Sequence, residues 1–192
     1  MTPSDLDLVD EALRGRRESF DALLLRYRRA IFGYFVACGC RKPDVDDLCQ
    51  ETFVTAYLSL AQFRRSERFG AWISGIARHV LSTHRRQSRA RLRALRKFGI
   101  RFFGKSSNPV ATPVLEDGEN WAQAMERIME SLPDPFREVL YLRYDQRLRI
   151  EEIAQVEGIT RAAAKMRLSR ARKQLQDKLA QWDLFASRGH TP

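Results

Sequence analysis

The side chains that could do covalent or metal chemistry are few, and their spacing does not suit it. Cys38, Cys40 and Cys49 form an odd set crowded into one segment, which does not make a secreted disulfide framework. A zinc site would need further ligands, but His79, His84 and His190 lie far off in sequence at no ligand spacing. The three cysteines read as small core thiols, since free Cys is among the most buried residue types. No metal and no cofactor is expected. The sequence also lacks a phosphate-binding P-loop, a Gly-x-Ser-x-Gly elbow, an H-E-x-x-H pair and paired carboxylates on a strand, so no catalytic residue is assigned and an enzyme acting on nucleic acid is excluded.

The chemistry that the sequence does carry is cationic. Thirty-four Lys and Arg face 24 Asp and Glu, a net charge of +10, and the excess is not spread evenly. Residues 64–105 hold thirteen bases against the single acid Glu67, residues 106–136 are acidic with a local charge of −5, and residues 137–192 return to +5. Two basic blocks around an acidic spacer imply two modules with a polyanion as partner, either nucleic acid or an anionic membrane. No window approaches the roughly 18 to 20 apolar residues of a membrane span, and the acidic start Met1–Asp7 has no export-signal pattern. The expectation is therefore a cytoplasmic protein with no membrane span.

Apolar residues recur at helical spacing throughout, and alternating runs between turn signals are absent, so the fold class is all-α. Gly104–Pro113 is rich in Pro, Ser, Asn and Gly without apolar period, the composition of a linker. Two small helical domains joined by a flexible linker follow: a first domain at 1–100, the linker at 101–120, a second domain at 121–186 and a tail at 187–192.

In the second domain, the Pro residues of Leu132-Pro-Asp-Pro-Phe-Arg open a helix that runs to about Arg143, with Asp134 as a possible cap. Ile150 to Glu157 then form a short helix, Gly158 breaks it, Ile159 fills the corner and Thr160 caps a longer helix. This is a helix-turn-helix pattern: the small Ala154 lets the helices approach, and Gly158 supplies a left-handed turn residue. Ala164, Leu168, Ala171 and Leu175 form the buried stripe of the second helix. Lys165, Met166, Ser169, Arg170 and Lys173 project away from it, with Thr160 and Arg161 near its start, as a helix lying in a major groove requires.

In the first domain, Pro43 and the acids after it favour a helix start. Val45, Cys49, Phe53, Ala56 and Leu60 make its core side. Asp47, Gln50, Glu51, Val54 and Leu58 cluster on the other, where an apolar centre with a charged rim suits docking to a protein. The next helix, from Phe69, turns Ile73, Ile76, Ala77 and Val80 inward. Arg78, Ser82, Arg85 and Arg86 face outward with His79 at the edge, while Phe63, Phe69 and Trp72 gather beside the loop Arg64-Arg65-Ser66-Glu67-Arg68. Aromatics beside a cationic track suit single-stranded nucleic acid, whose phosphates pair with Arg and whose unstacked bases find apolar pockets. Trp72 is expected to be at least partly buried.

Three blocks together resemble the extracytoplasmic-function (ECF) group of bacterial sigma factors, the specificity subunits of RNA polymerase: Asp44-Val-Asp-Asp-Leu-Cys-Gln-Glu-Thr-Phe-Val-Thr-Ala-Tyr57, Phe69-Gly-Ala-Trp-Ile-Ser-Gly-Ile-Ala-Arg78, and the stretch from Leu132 through Glu151-Glu-Ile-Ala to Lys165-Met-Arg-Leu-Ser-Arg-Ala-Arg172. The resemblance implies that the first block, with Asp44, Asp47, Gln50, Glu51, Val54 and Leu58, docks on the clamp helices of core RNA polymerase. It implies that Arg64, Arg65, Phe69, Trp72, Arg78, His79, Ser82, Arg85 and Arg86 capture the melted strand at the minus-10 element. The helix-turn-helix, with Arg143, Thr160, Arg161, Lys165, Met166, Ser169, Arg170 and Lys173, would read the minus-35 duplex, and the linker would thread toward the active-site cleft. The chain departs from the family pattern at His79, where Asn is common, at Thr83, where Asp is common, and at Ala162-Ala163-Ala164 in place of Gly-Thr-Val. The first two bear on minus-10 base preference, the third on a hydroxyl near the minus-35 backbone.

The expected function is thus promoter recognition and melting on behalf of the polymerase, with promoter DNA and core enzyme as partners and no chemistry of its own. An anti-sigma factor is implied as well, the chain being a monomer or a heterodimer with that inhibitor. The alternative is a helix-turn-helix activator that binds duplex DNA only, which needs neither the +12 block nor the Val54/Leu58 face. In the free protein the +12 and −5 segments are of opposite sign and can pair, masking the DNA surfaces.

Overall fold

The computed structural model describes residues 3–97 and 121–188, so the expected linker and most of the tail lie outside the described residues. Among these there are eight α-helices, one 3-10 turn and no strand. The first domain comprises α1 (Asp5–Leu13), α2 (Arg17–Ala37), α3 (Lys42–Leu58), the 3-10 turn Leu60–Gln62 and the long α4 (Phe69–Lys97). The second comprises α5 (Trp121–Glu130), α6 (Asp134–Tyr144), α7 (Ile150–Glu157) and α8 (Arg161–Arg188).

Local chemistry sets most of the boundaries. Ser4 and Asp7 form a reciprocal capping box at the start of α1: the Ser4 hydroxyl accepts the Asp7 N–H at 3.2 Å and the Asp7 carboxylate accepts the Ser4 N–H at 3.1 Å. Pro43 sits in the first turn of α3, where a missing N–H costs nothing. α7 ends on Gly158 in the left-handed conformation, φ +62°, and the Thr160 hydroxyl accepts the Ala163 N–H at 3.2 Å to open α8. Asp134 does not cap α6: it is the first helical residue, and Pro133, whose ring carries no hydrogen-bonding group, holds the cap position. The Asp134 carboxylate is instead taken by the guanidinium of Arg137.

Burial follows the apolar stripes. Leu23, Ile31, Phe35, Val45, Leu48, Phe53, Ala56, Ile73, Ala77 and Val80 fill the first bundle, and Leu132, Val139, Leu142, Ile153, Ala164, Leu168 and Ala171 the second. Each large side chain so buried contributes roughly 1.5–3 kcal/mol. At the far end of the second domain, Trp121 of α5 packs edge-on against Trp182 of α8, ring centroids 5.1 Å apart.

The two domains are not held apart. Their buried residues form one continuous apolar cluster, with α4 packed on α7 and α2 on α6. Tyr141 of α6 lies against Gly33 of α2, so closely that a β-carbon at position 33 would collide with its hydroxyl. That hydroxyl donates to the Ala30 carbonyl at 2.9 Å, and the Gln146 side-chain amide donates to the same oxygen at 3.1 Å. No helix among the described residues is long and apolar enough to cross a membrane.

Candidate protein-docking and nucleic-acid interfaces

On α3 the sequence-derived face stands clear of the bundle. Asp47, Gln50 and Glu51 are exposed, Val54 and Leu58 are 51 % and 77 % exposed, and Asp44 is half-buried. The face borders a groove of about 770 Å³ between α2 and α3, floored by Phe20, Leu24, Phe53 and Tyr57 and rimmed by Arg17, Asp21, Arg28 and Asp46. Phe20 and Tyr57 meet edge to face at 5.0 Å across it. The α2 side of this groove was missed in the sequence, although Phe20 and Leu24 at i, i+4 spacing would have marked it.

Cys38 is buried and Cys40 and Cys49 are half-buried, all three as free thiols. Burial pushes the Cys40 and Cys49 thiols up to about 11, which disfavours the thiolate that attacks and ligates. Among the described residues no group of His, Cys, Asp and Glu could hold a metal ion.

The second surface is built by α4 and the loop before it. Phe63, Phe69 and Trp72 pack as a triad with ring centroids 5.4–5.6 Å apart. Phe69 does not belong to the surface as expected: it is 2 % exposed, with Tyr27 against its other side at 5.2 Å. It is the first residue of α4, and its side chain anchors that helix in the bundle, which leaves the half-buried Phe63 and Trp72 as the accessible aromatics. Arg64 and Arg65 are exposed, and Arg65 pairs with Asp10 of α1. His79, Ser82 and Arg86 are exposed on α4.

Arg78 and Arg85, by contrast, are half-buried and engaged. The guanidinium of Arg85 lies 3.0 Å from Glu138 and 3.2 Å from Asp134, both on α6, and donates to the Cys38 carbonyl at 2.8 Å. Arg78 Nε lies 3.9 Å from the Glu157 carboxylate of α7. A cleft of about 440 Å³ runs along this face, lined by Arg78, Ser82, Arg85, Arg86, Arg89 and Arg93 with Glu138 opposite. Arg89 and Arg93 extend the cationic track beyond the residues expected from sequence, each following Arg85 and Arg86 along the same helix face at steps of three or four residues.

The third surface is the exposed side of α8. Thr160, Arg161, Lys165, Met166, Ser169, Arg170 and Lys173 are all exposed, while Ala164, Leu168 and Ala171 face the core. Arg161 pairs with Glu151 at 2.7 Å. Arg143 is half-buried and donates to the Leu148 carbonyl at 2.9 Å, so part of its guanidinium holds the α6–α7 turn. Arg172, also missed, donates to the Tyr144 hydroxyl at 2.7 Å and lies over that ring at 5.6 Å. Both are exposed beside this side of α8.

A helical bundle with an exposed acidic-aliphatic face, an aromatic-cationic surface and a helix-turn-helix on one chain is matched by two family models. Residues 23–91 match sigma-70 region 2, and residues 122–175 match sigma-70, region 4. The chain belongs to the sigma-70 family of RNA polymerase sigma factors. Its relatives narrow this to the extracytoplasmic-function group. It is 27 % identical over 181 residues to the ECF RNA polymerase sigma-E factor of Escherichia coli, covering 92 % of this chain and 94 % of that one. To the RNA polymerase sigma-H factor of Pseudomonas aeruginosa it is 29 % identical over 189 residues, covering 91 % and 93 %. Among solved structures it is similar to CnrH in complex with the cytosolic domain of CnrY, with a TM-score of 0.64, 26 % identity, and coverage of 93 % of this chain and 99 % of that one. The fold is also that of the sigma factor RpoE in complex with the anti-sigma factor NepR from Bartonella quintana, with a TM-score of 0.66, 24 % identity, and coverage of 85 % and 98 %. Matches to both regions do not favour the duplex-only activator.

Proposed function

We propose that this chain binds core RNA polymerase through the α3 face and its groove, delivers it to promoters by reading the minus-35 duplex with α8, and assists melting with the α4 surface. It makes and breaks no covalent bond itself. The observation that carries the reading is the exposure, on one chain, of the docking residues Asp47, Gln50, Val54 and Leu58 together with the reading residues Lys165, Met166, Ser169 and Arg170.

The parts divide the work by chemistry. Val54 and Leu58 supply apolar contact for a helical partner, and Asp47, Gln50 and Glu51 give it register by charge and hydrogen bonding. On α8, Arg170 can bond guanine through both its nitrogens, Lys165 can reach a base edge or a phosphate, and Met166 offers apolar contact to a thymine methyl. Strand separation costs a few kcal/mol per extruded base. Phe63 and Trp72 would offset it by receiving an unstacked base while Arg64, Arg86 and, once free, Arg78 and Arg85 hold the phosphates. His79 and Thr83 set the base preference of that pocket. Promoters and polymerase place this work in the cytoplasm, and the relatives solved with anti-sigma factors support an inhibitor as the further partner, the chain being otherwise a monomer.

Gel filtration with core polymerase tests the docking assignment. Asp47→Ala, Gln50→Ala and Val54→Ala together should abolish co-elution while duplex binding by α8 persists. Unchanged co-elution would remove the α3 face from the account.

A further inference from the structure

The promoter-facing arginines of α4 are occupied by the chain's own second domain. Arg85 is held by Glu138 at 3.0 Å and Asp134 at 3.2 Å, Arg78 faces Glu157 at 3.9 Å, and Arg68 of the preceding loop lies 3.4 Å from Glu152. The three glutamates are not casual surface charges, being 6 %, 2 % and 5 % exposed. A carboxylate and a phosphate present similar anionic oxygens to a guanidinium, so a phosphate brought to Arg85 or Arg78 meets donors already turned to a carboxylate and the repulsion of that carboxylate's charge. Neutral contacts complete the interface: Tyr141 and Gln146 on the Ala30 carbonyl, the Ser74 hydroxyl 2.7 Å from the Gln146 side-chain oxygen, and Tyr141 packed on Gly33.

We propose that Glu138 and Glu157 of the helix-turn-helix domain stand in for promoter phosphates on Arg85 and Arg78, so that the second domain and melted single-stranded DNA compete for one face of α4. The inference rests on the strand-capture reading of that face. It is selective. The docking face of α3 and the reading face of α8 remain exposed in the packed form, so the free chain can meet polymerase and duplex DNA while single-stranded DNA is refused until the domains part. The carboxylates come from a segment whose net charge is positive, so this is not the pairing of oppositely charged blocks expected from sequence; Asp134 alone belongs to the acidic block.

The test uses the full chain and two independent ways of opening it. Glu138→Gln with Glu157→Gln removes the competing charge at constant size. Gly33→Ala drives a methyl into Tyr141 from α2, touches no DNA-facing residue, and favours the helix it sits in. Small-angle scattering reads the domain packing, since a compact chain of this length has a radius of gyration of about 16 Å. Anisotropy of a fluorescein-labelled, mixed-sequence single-stranded 12-mer reads the competition.

The wild-type chain should scatter as the compact form. Both variants should expand by several ångströms and bind the 12-mer about tenfold more tightly, the gain from freeing a state populated one time in ten. A wild-type chain already expanded overturns the proposal, as do variants that expand and bind no more tightly than a wild type that also binds. If the opened variants and the wild type all fail to bind the 12-mer, the fault lies in the strand-capture reading and the competition falls with it.

Discussion

Arg85 and Glu138, 53 positions apart and on opposite sides of the linker, meet at 3.0 Å between Nη1 and Oε1. Glu138 sits on the buried side of α6 and has no room to reach solvent, its side chain being 8 % exposed. The pair therefore joins the cationic face of α4 to the helix-turn-helix domain through one charged contact.

Removing one partner should show as lost stability. Arg85→Ala leaves the Glu138 carboxylate buried without its guanidinium, a cost of about 1–3 kcal/mol for an unsatisfied buried acceptor. Arg85→Lys keeps the charge but not the simultaneous grip on Glu138, Asp134 and the Cys38 carbonyl, so it should fall between wild type and Ala. Urea unfolding midpoints measure this; equal midpoints for all three chains would show that the contact stabilises nothing.

Stability should respond to pH through Glu157. Burial is the main cause pushing its carboxyl above the ordinary range, Glu138 of α6 adds to it, and Arg78 of α4 and Arg167 of α8 pull the other way. The Tyr34 hydroxyl of α2 feels the same charge. The folded chain thus holds this proton more tightly than the unfolded chain, so the contribution of Glu157 is fully present below the ordinary carboxyl value and declines as pH rises through the raised one. The urea midpoint of the wild type should fall relative to that of Glu157→Gln, which has no proton to lose there, as pH rises from the ordinary carboxyl range to neutrality. A midpoint difference that does not change with pH would contradict this assignment.

At the start of α8, Thr160→Ala removes the hydroxyl that accepts the Ala163 N–H. The expected loss is about 1 kcal/mol, read as a lowered thermal midpoint. An unaltered midpoint would mean that water replaces the cap at no cost.

Base reading should be separable from packing. Lys165→Ala and Arg170→Ala, both exposed and away from the interdomain contact, should each relax discrimination at particular minus-35 positions by about 1–3 kcal/mol, without moving the radius of gyration. An unaltered base-preference profile would take that residue out of the reading set.

The helices and their faces were legible in the sequence because burial obeys a 3.6-residue period. Val45, Phe53 and Ala56 went inward and Val54 and Leu58 outward, and Gly158 took the left-handed turn that the break between α7 and α8 requires. Phe69 was misplaced because its aromatic type and its position beside a cationic loop fit a surface pocket as well as a core, and only the packing of Tyr27 against it decides. Asp134 has the residue type of a possible cap, whereas the chain enters α6 through an extended Pro133. The interdomain contact was hidden for a different reason. Summing charge over a segment averages away Glu138, Glu152 and Glu157, which lie in a net-positive stretch yet are the anions that α4 and the loop before it meet. A pairing between residues so far apart in the chain leaves no local period to read.

Above all, this chain gives polymerase its promoters. Run-off transcription with purified core RNA polymerase on a pool of bacterial genomic fragments tests it most directly, with and without the chain and with no inhibitor present. Discrete transcripts should appear that depend on the chain, share sequence elements near minus 35 and minus 10, and vanish with the triple substitution at Asp47, Gln50 and Val54. Initiation no better than that of core enzyme alone on every fragment would contradict it.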